Sequence, residues 1–186
     1  MIGCRIVIWG ATGSGKTTLA RRLGEMLDLP VIELDALHRL TGWQKSKWED
    51  FRFRALIALD ANPEQWICDG NHGPLRELVL PRADTVIWLD LPFHVTFPRV
   101  VWRTIREARS HTPVSEGSYA GWRRSFFSRD MVFPRAFLQL LQHRRFAAQV
   151  ADLSRCYPHL DVFRLRSPAD VSEFLQCHTP GSGVAS

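Results

Sequence analysis

Eight consecutive residues, Gly10-Ala11-Thr12-Gly13-Ser14-Gly15-Lys16-Thr17, carry the most legible chemistry in this chain. They satisfy the pattern Gly, four residues, Gly-Lys-Ser/Thr. An apolar run (Ile6, Val7, Ile8, Trp9) precedes them and a helix-like segment (Leu19, Ala20, Leu23) follows. A phosphate-binding loop requires that order. Its glycines let backbone N–H groups turn inward around a triphosphate, and the helix N-terminus behind them adds the positive end of its dipole. Lys16 is then expected to reach the outer phosphates and Thr17 to ligate a phosphate-bound Mg²⁺. Gly10, Ala11, Thr12, Gly13, Ser14, Gly15 and Thr18 are expected to complete the nucleotide cradle. A chance glycine-rich turn would satisfy the letters without this context.

Carboxylates and guanidinium groups elsewhere suit a reaction at such a loop. Val31-Ile32-Glu33-Leu34 reads as a short strand ending at Asp35, and Trp66-Ile67-Cys68 as another closed by Asp69-Gly70-Asn71. Ligands of open α/β sheets collect at the carboxyl ends of the strands, which places Asp35 and Asp69 beside the loop. Asp35 is expected to act as a general base or to orient an acceptor hydroxyl; the alternative is a helix cap. Asp69 is the candidate for Mg²⁺, with a plain turn as the alternative. Asp90 is its rival, because it also ends an apolar strand, Thr85-Val86-Ile87-Trp88-Leu89. Arg99, Arg103 and Arg106 recur at i, i+4 and i+7, with Val100, Val101, Ile105 and Ala108 on the other side. Arg99 and Arg103 are the candidate catalytic cations. A solvated basic face is the plainer reading of that helix.

The elements that must hold these groups alternate along the chain. A strand is predicted at 4–9, a helix at 16–28 with Leu19, Leu23 and Leu27 inward, and an irregular aromatic and basic binding loop at 36–48. A helix follows from about 49 to 59 with Phe51, Ala55, Leu56 and Leu59 inside. Another is expected to begin only near Thr96, since Pro98 suits a first turn. Residues 110–122 read as a mobile lid, 129–153 as a long helix and 160–165 as a fifth strand. Ser167-Pro168-Ala169-Asp170 is the capped start of a terminal helix ending near Gln176. The pattern predicts a single domain over 1–178 in which five parallel strands lie between helices, with an acceptor-binding region at 36–62, a lid-like region at 104–128 and a disordered tail at 179–186.

Composition narrows the class of protein. The chain has 186 residues, 45% of them hydrophobic, enough for one domain with a sizeable core. No apolar run reaches the roughly 20 residues that span a bilayer, and the first residues leave no room for a signal peptide, so a cytoplasmic protein without membrane partners is expected. The four cysteines, Cys4, Cys68, Cys156 and Cys177, lack metal-ligand spacing. No disulfide or structural zinc is expected, and Cys4 and Cys68 are placed in buried strands. The net charge of +5 comes mostly from arginine and permits an anionic small molecule or nucleic acid.

Taken together, these motifs resemble the adenylate-kinase-like group of phosphate-loop kinases, with the likeness extending over about Ile6 to Leu175. The resemblance is nearest to bacterial proteins labelled as related to the "DNA topology modulation protein". It rests on the phosphate loop, Leu34-Asp35 before a Trp-containing loop, Asp69-Gly70-Asn71, Val86 to Pro92, Arg99 with Arg103, and Ser125-Phe126-Phe127-Ser128-Arg129-Asp130. It implies the three-layer α/β/α P-loop NTPase fold of nucleoside monophosphate kinases, with ATP and Mg²⁺ as cofactors. It also implies a role for Asp69 in the Mg²⁺ water shell, and contacts from Arg99 and Arg103 to the nucleotide and the transferring phosphate. By analogy with the similar shikimate kinases, Glu33 and Asp35 would serve magnesium and the acceptor hydroxyl. The chain departs from adenylate kinase after Asp69-Gly70, where Asn71-His72-Gly73 replaces Phe-Pro-Arg and removes an arginine that contacts the acceptor phosphate.

The expected activity is therefore ATP-dependent transfer of the γ-phosphate to a small molecule. A nucleoside or nucleotide is the first choice of acceptor and another hydroxyl-bearing metabolite the second, in a monomer or homodimer. Trp43 and Trp48 would stack on an acceptor ring or pack. His72 reads as a turn or substrate-loop residue, and His38 and His111 carry no readable signal. The alternative is a nucleotide-dependent nucleic-acid-binding regulator with weak ATPase activity; nucleic acid is the less favoured partner because no DNA-reading motif is visible. A GTPase switch lacks both Asn-Lys-x-Asp and Asp-x-x-Gly.

Overall fold

The first strand, β1 (Arg5–Gly10), alternates its side chains between two helical layers, and the rest of the fold is arranged around it. Ile6 and Ile8 face one layer, Val7 and Trp9 the other. The computed structural model describes residues 2–39, 48–70, 73–109, 150, 152–153 and 155–179. Within them β1 is followed by α1 (Lys16–Leu27), β2 (Val31–Glu33), α2 (Leu34–Arg39), α3 (Trp48–Asp60) and β3 (Trp66–Asp69). Then come α4 (Arg76–Val79), set between two short 3₁₀ turns, β4 (Thr85–Leu89), α5 (Phe93–Arg109), β5 (Asp161–Leu165) and α6 (Pro168–Cys177).

The sheet is five-stranded with the order β2-β3-β1-β4-β5, and every pairing is parallel. One face packs Ile6, Ile8, Ile67, Ile87 and Leu89 against Leu19 and Leu23 of α1 and Phe174 and Leu175 of α6. The other packs Val7, Trp9, Cys68, Val86 and Trp88 against Phe51, Ala55 and Leu59 of α3 and Val79 of α4. Each fully buried aliphatic side chain in these layers contributes about 1.5–3 kcal/mol relative to its exposure in water. The expected three-layer α/β/α fold with five parallel strands is the observed one.

Several expectations are corrected. Cys4 precedes β1 and is exposed, so only Cys68 is a buried strand cysteine. The strand at 31–34 stops at Glu33, and Leu34 through Arg39, the described part of the expected binding loop, is helical. The buried Leu34 and half-buried Leu37, three residues apart, supply an apolar stripe too short to stand out as periodicity in the sequence. Helix α5 starts at Phe93, three residues earlier than expected, with Pro98 inside it. The Pro92 carbonyl accepts from the N–H groups of Val95 (3.0 Å) and Thr96 (3.2 Å), and buried Thr96 and Val100 fasten the helix to the core, which offsets the missing Pro98 N–H. The expected lid at 110–122, the 125–130 block and most of the 129–153 helix lie outside the described residues, as do Trp43, Asn71, His72 and all of the 179–186 tail except Thr179.

Contact between the loop after β1 and helix α5 is close. Gly13 has φ +80°, and a Cβ there would lie 2.6 Å from Val100 Cγ2 and 2.7 Å from the Thr96 carbonyl oxygen. The terminal helix begins as its sequence predicts. Ser167 Oγ accepts from the Asp170 N–H (3.1 Å) and also bonds Asp170 Oδ1, while Asp170 Oδ2 accepts from the Arg166 N–H (2.8 Å). The Ser167 hydroxyl and the Arg166 N–H both hold the Asp170 carboxyl below its usual range.

Gly13→Ala is expected to cost about 2–5 kcal/mol in urea unfolding, combining a left-handed backbone with an overpacked contact. Ser167→Ala should cost about 1 kcal/mol through loss of the cap. Because the Asp170 pKa is lowered by folding, its stabilisation is complete above the ordinary carboxylate range and is lost as pH falls through the depressed value. The gap between wild type and Ser167→Ala should therefore narrow in acid, measured by unfolding at several pH values.

Candidate active site

At the carboxyl edge of the sheet, a cavity of about 1120 Å³ opens over the loop between β1 and α1. The residues Thr12 through Thr18 line it, together with Asp35, Asp69, Arg99 and Arg103. Gly10 and Ala11 contribute from beneath, since their carbonyl oxygens accept hydrogen bonds from Lys16 Nζ at 2.9 and 3.2 Å. Thus Thr12 through Thr18 of the expected cradle, every expected catalytic residue and Asp69 line one space, although they come from four separate parts of the chain. Residues 71–72 and 110–149 lie outside this description.

Two features of the loop follow from its burial. Ser14 is buried, and its Oγ has no hydrogen-bond partner. Lys16 is drawn below the usual lysine range by desolvation, an effect that the charges of Asp69 and Asp35 oppose. A triphosphate would supply acceptors for the Ser14 hydroxyl and the Lys16 ammonium.

Thr17 and Asp69 are joined directly. Thr17 Oγ1 donates to Asp69 Oδ2 at 2.5 Å, which ties the start of α1 to the end of β3 across 52 positions of sequence. Asp69 is only 6% exposed, and its second oxygen, Oδ1, is buried without a hydrogen-bond partner. Burial raises the carboxyl above its usual range, against the opposing effects of the Thr17 bond and the Lys16 charge. A buried carboxylate with unused acceptor capacity beside a threonine hydroxyl fits the hard oxygen chemistry of Mg²⁺, which is commonly held by one or two protein oxygens plus phosphate oxygens and water. Among the described residues, no group of three His, Cys, Asp or Glu could hold a metal ion by itself.

Asp90 is as buried as Asp69 but has other neighbours. It does not line the cavity, and Arg164 of β5 grips its Oδ2 from Nε (2.7 Å) and Nη2 (2.5 Å). The same guanidinium lies 4.5 Å from the centroid of the Trp88 ring. Glu33 lines the cavity but accepts from Arg21 Nε (2.9 Å) and Nη2 (2.7 Å). Asp35, expected to end the strand, is exposed in the first turn of α2, two residues past the end of β2 at Glu33.

The arginine face of α5 is divided. Arg99 reaches the loop, with Nη1 3.5 Å from the Ser14 carbonyl oxygen, and Arg103 shares the cavity wall; Arg106 is not part of that wall. Trp48 is 55% exposed, and its ring centroid lies 5.8 Å from that of His38.

Other cavity residues were not singled out by the sequence reading: Arg21, Arg22 and His38, and the α6 face carrying Pro168, Val171, Ser172 and Leu175. Helical spacing carried a signal for three of them. Arg21 and Arg22 stand four residues beyond Thr17 and Thr18, and His38 three beyond Asp35, so each shares a helix face with an expected site residue. Nothing in the sequence linked α6 to the loop, because their proximity arises from the strand order.

No family model matches the sequence, and no curated protein matches it. Among solved structures, a shikimate kinase from Bacteroides thetaiotaomicron superposes with a TM-score of 0.53 at 17% identity, covering 94% of this chain and 95% of that one. Shikimate kinases from Acinetobacter baumannii, in complex with shikimate, and Aquifex aeolicus superpose with a TM-score of 0.49 each, at 22% and 19% identity. The first alignment covers 94% of this chain and 92% of its counterpart, the second 93% and 94%. At this level of identity the likeness is one of architecture, and the chain has the three-layer α/β/α fold of the phosphate-loop kinases.

Proposed function

We propose that this chain is an ATP-dependent phosphotransferase that passes the γ-phosphate, with Mg²⁺, to a small-molecule acceptor. The observation that carries this reading is the convergence of Lys16, Thr17, Asp69, Asp35, Arg99 and Arg103 on one cavity. A triphosphate site alone needs only the loop. The additional carboxylate on the β2 side and the two arginines from α5 fit the needs of transfer: an acceptor oriented in line, and positive charge around the migrating group.

In this reading the loop N–H groups and Lys16 hold the outer phosphates, while Arg99 and Arg103 stabilise charge on the phosphoryl oxygens. Thr17 and Asp69 would hold Mg²⁺, which when bound supplies further neutralisation of the phosphates. Asp35 orients the acceptor hydroxyl. The acceptor oxygen forms its bond to phosphorus as the bond to the β–γ bridging oxygen breaks. From a hydroxyl acceptor the proton passes to the Asp35 carboxylate, whereas a nucleoside monophosphate attacks through an ionised phosphate oxygen and has no proton to release. A nucleoside or nucleotide is the first acceptor class, and a hydroxyl-bearing metabolite of the kind handled by shikimate kinases is the second. The finer resemblance to the bacterial "DNA topology modulation protein"-related subgroup belongs to the same reading.

The test is a panel of nucleosides, nucleoside monophosphates and shikimate offered with ATP and Mg²⁺, scored as phosphorylated product against phosphate released to water. At least one acceptor should be phosphorylated faster than ATP is hydrolysed, and Lys16→Ala should lower that rate by about 10²-fold or more. Failure of every acceptor to outpace water would remove the kinase reading. With a working hydroxyl acceptor, Asp35→Asn is expected to lower kcat by about 10²–10⁴-fold while ATP affinity stays within about twofold.

A further inference from the structure

The cavity has two unlike flanks, and the strand order separates them. With β1 in the middle of the sheet, β2 and α2 lie toward one edge, and β5 and α6 toward the other. The β2 flank carries Glu33, Asp35 and His38. The α6 flank presents Pro168, Val171 and Leu175, a mostly apolar wall of the kind that suits the flat face of a ring.

Helix α1 runs between these flanks and carries adjacent arginines, which a helix turns about 100° apart. Arg21 is bonded to Glu33. Arg22 also lines the cavity, is exposed, and makes no hydrogen bond or ion pair with the described residues. It stands four residues after Thr18, about 6 Å further along the helix axis than the phosphate-facing turn.

We propose that Arg22 is a nucleotide-recognition residue that contacts the sugar or base of the donor and leaves its phosphates to the loop, Lys16, Arg99 and Arg103. This inference rests on the reading of the loop as an ATP site. A guanidinium only donates hydrogen bonds, so its partners are hydroxyl oxygens of the sugar or ring nitrogens of the adenine. The carboxylates of the β2 flank suit the acceptor, which leaves the α6 flank for the donor's nucleoside. Arg22 is the arginine on α1 that is not engaged by Glu33.

The experiment compares MgATP with Mg-tripolyphosphate, which carries the phosphates without a nucleoside, by calorimetric titration of wild type, Arg22→Ala, Arg22→Lys and Lys16→Ala. Thermal melting establishes that each variant is folded. Arg22→Ala should weaken ATP binding by about 5–20-fold, as for loss of a charge-assisted hydrogen bond, and change tripolyphosphate binding by less than about twofold. Arg22→Lys should fail to restore most of the ATP affinity, because it keeps the charge without the planar fork. Equal weakening of both ligands, or unchanged ATP affinity in Arg22→Ala, overturns the assignment of Arg22. A wild type that binds neither ligand, or a Lys16→Ala variant that binds both normally, overturns the donor-site reading beneath it and the Arg22 assignment with it.

Discussion

Parallel pairing on both sides of β1 is the constraint on which the site depends. Its register places Ile8 opposite Asp69 on β3, and Gly10 opposite Leu89 on β4. With all strands pointing the same way, each strand end delivers its following residues to one edge of the sheet. The loop after β1, the carboxylate ending β3 and the helix after β4 therefore meet without contacts in sequence. A one-residue slip of β3 would send Asp69 to the opposite face and return Cys68 to the edge.

That edge concentrates charge where water is partly excluded. Lys16 and Asp69 are each displaced by burial away from their charged forms, and each is pulled back by the other's charge. Two oppositely charged groups in this relation tolerate burial together better than either does alone. Asp90 illustrates the structural use of the same device: its bidentate partner Arg164 joins the ends of β4 and β5 and covers Trp88. Two aspartates at comparable strand ends thus have different surroundings, one gripped by arginine and one bonded by a single threonine hydroxyl.

The legible parts of the sequence were those encoded by local pattern. The glycine spacing of the loop, the apolar run of β1 and the cap at Ser167 are each set within a few residues, and each forms the expected element, β1 one residue later than predicted. Asp35 was harder because the end of β2 is decided by whether Leu34 pairs in the sheet or packs in a helix, and a lone leucine supports either. Pro98 misled because its local cost was visible, whereas the compensating burial of Thr96 and Val100 against the loop was tertiary. The choice between Asp69 and Asp90 could not be read locally either: Arg164 lies 74 positions from Asp90, and only strand order brings them side by side.

The seat of Gly13 on the backbone of α5 also bears on how the site could be reshaped. Because no side chain separates the loop from that helix, the cradle formed by the loop and the mounting of Arg99 and Arg103 form one mechanical part. A transplanted loop would leave behind the surface against which it is moulded, and a re-angled α5 would carry the cradle with it. Among the described residues, the β2 flank is tied to α1 by an ion pair of side chains, Arg21 with Glu33. In the proposed reaction, alignment of the donor and choice of the acceptor would therefore vary separately, with α5 conserving the first while α2 changes the second.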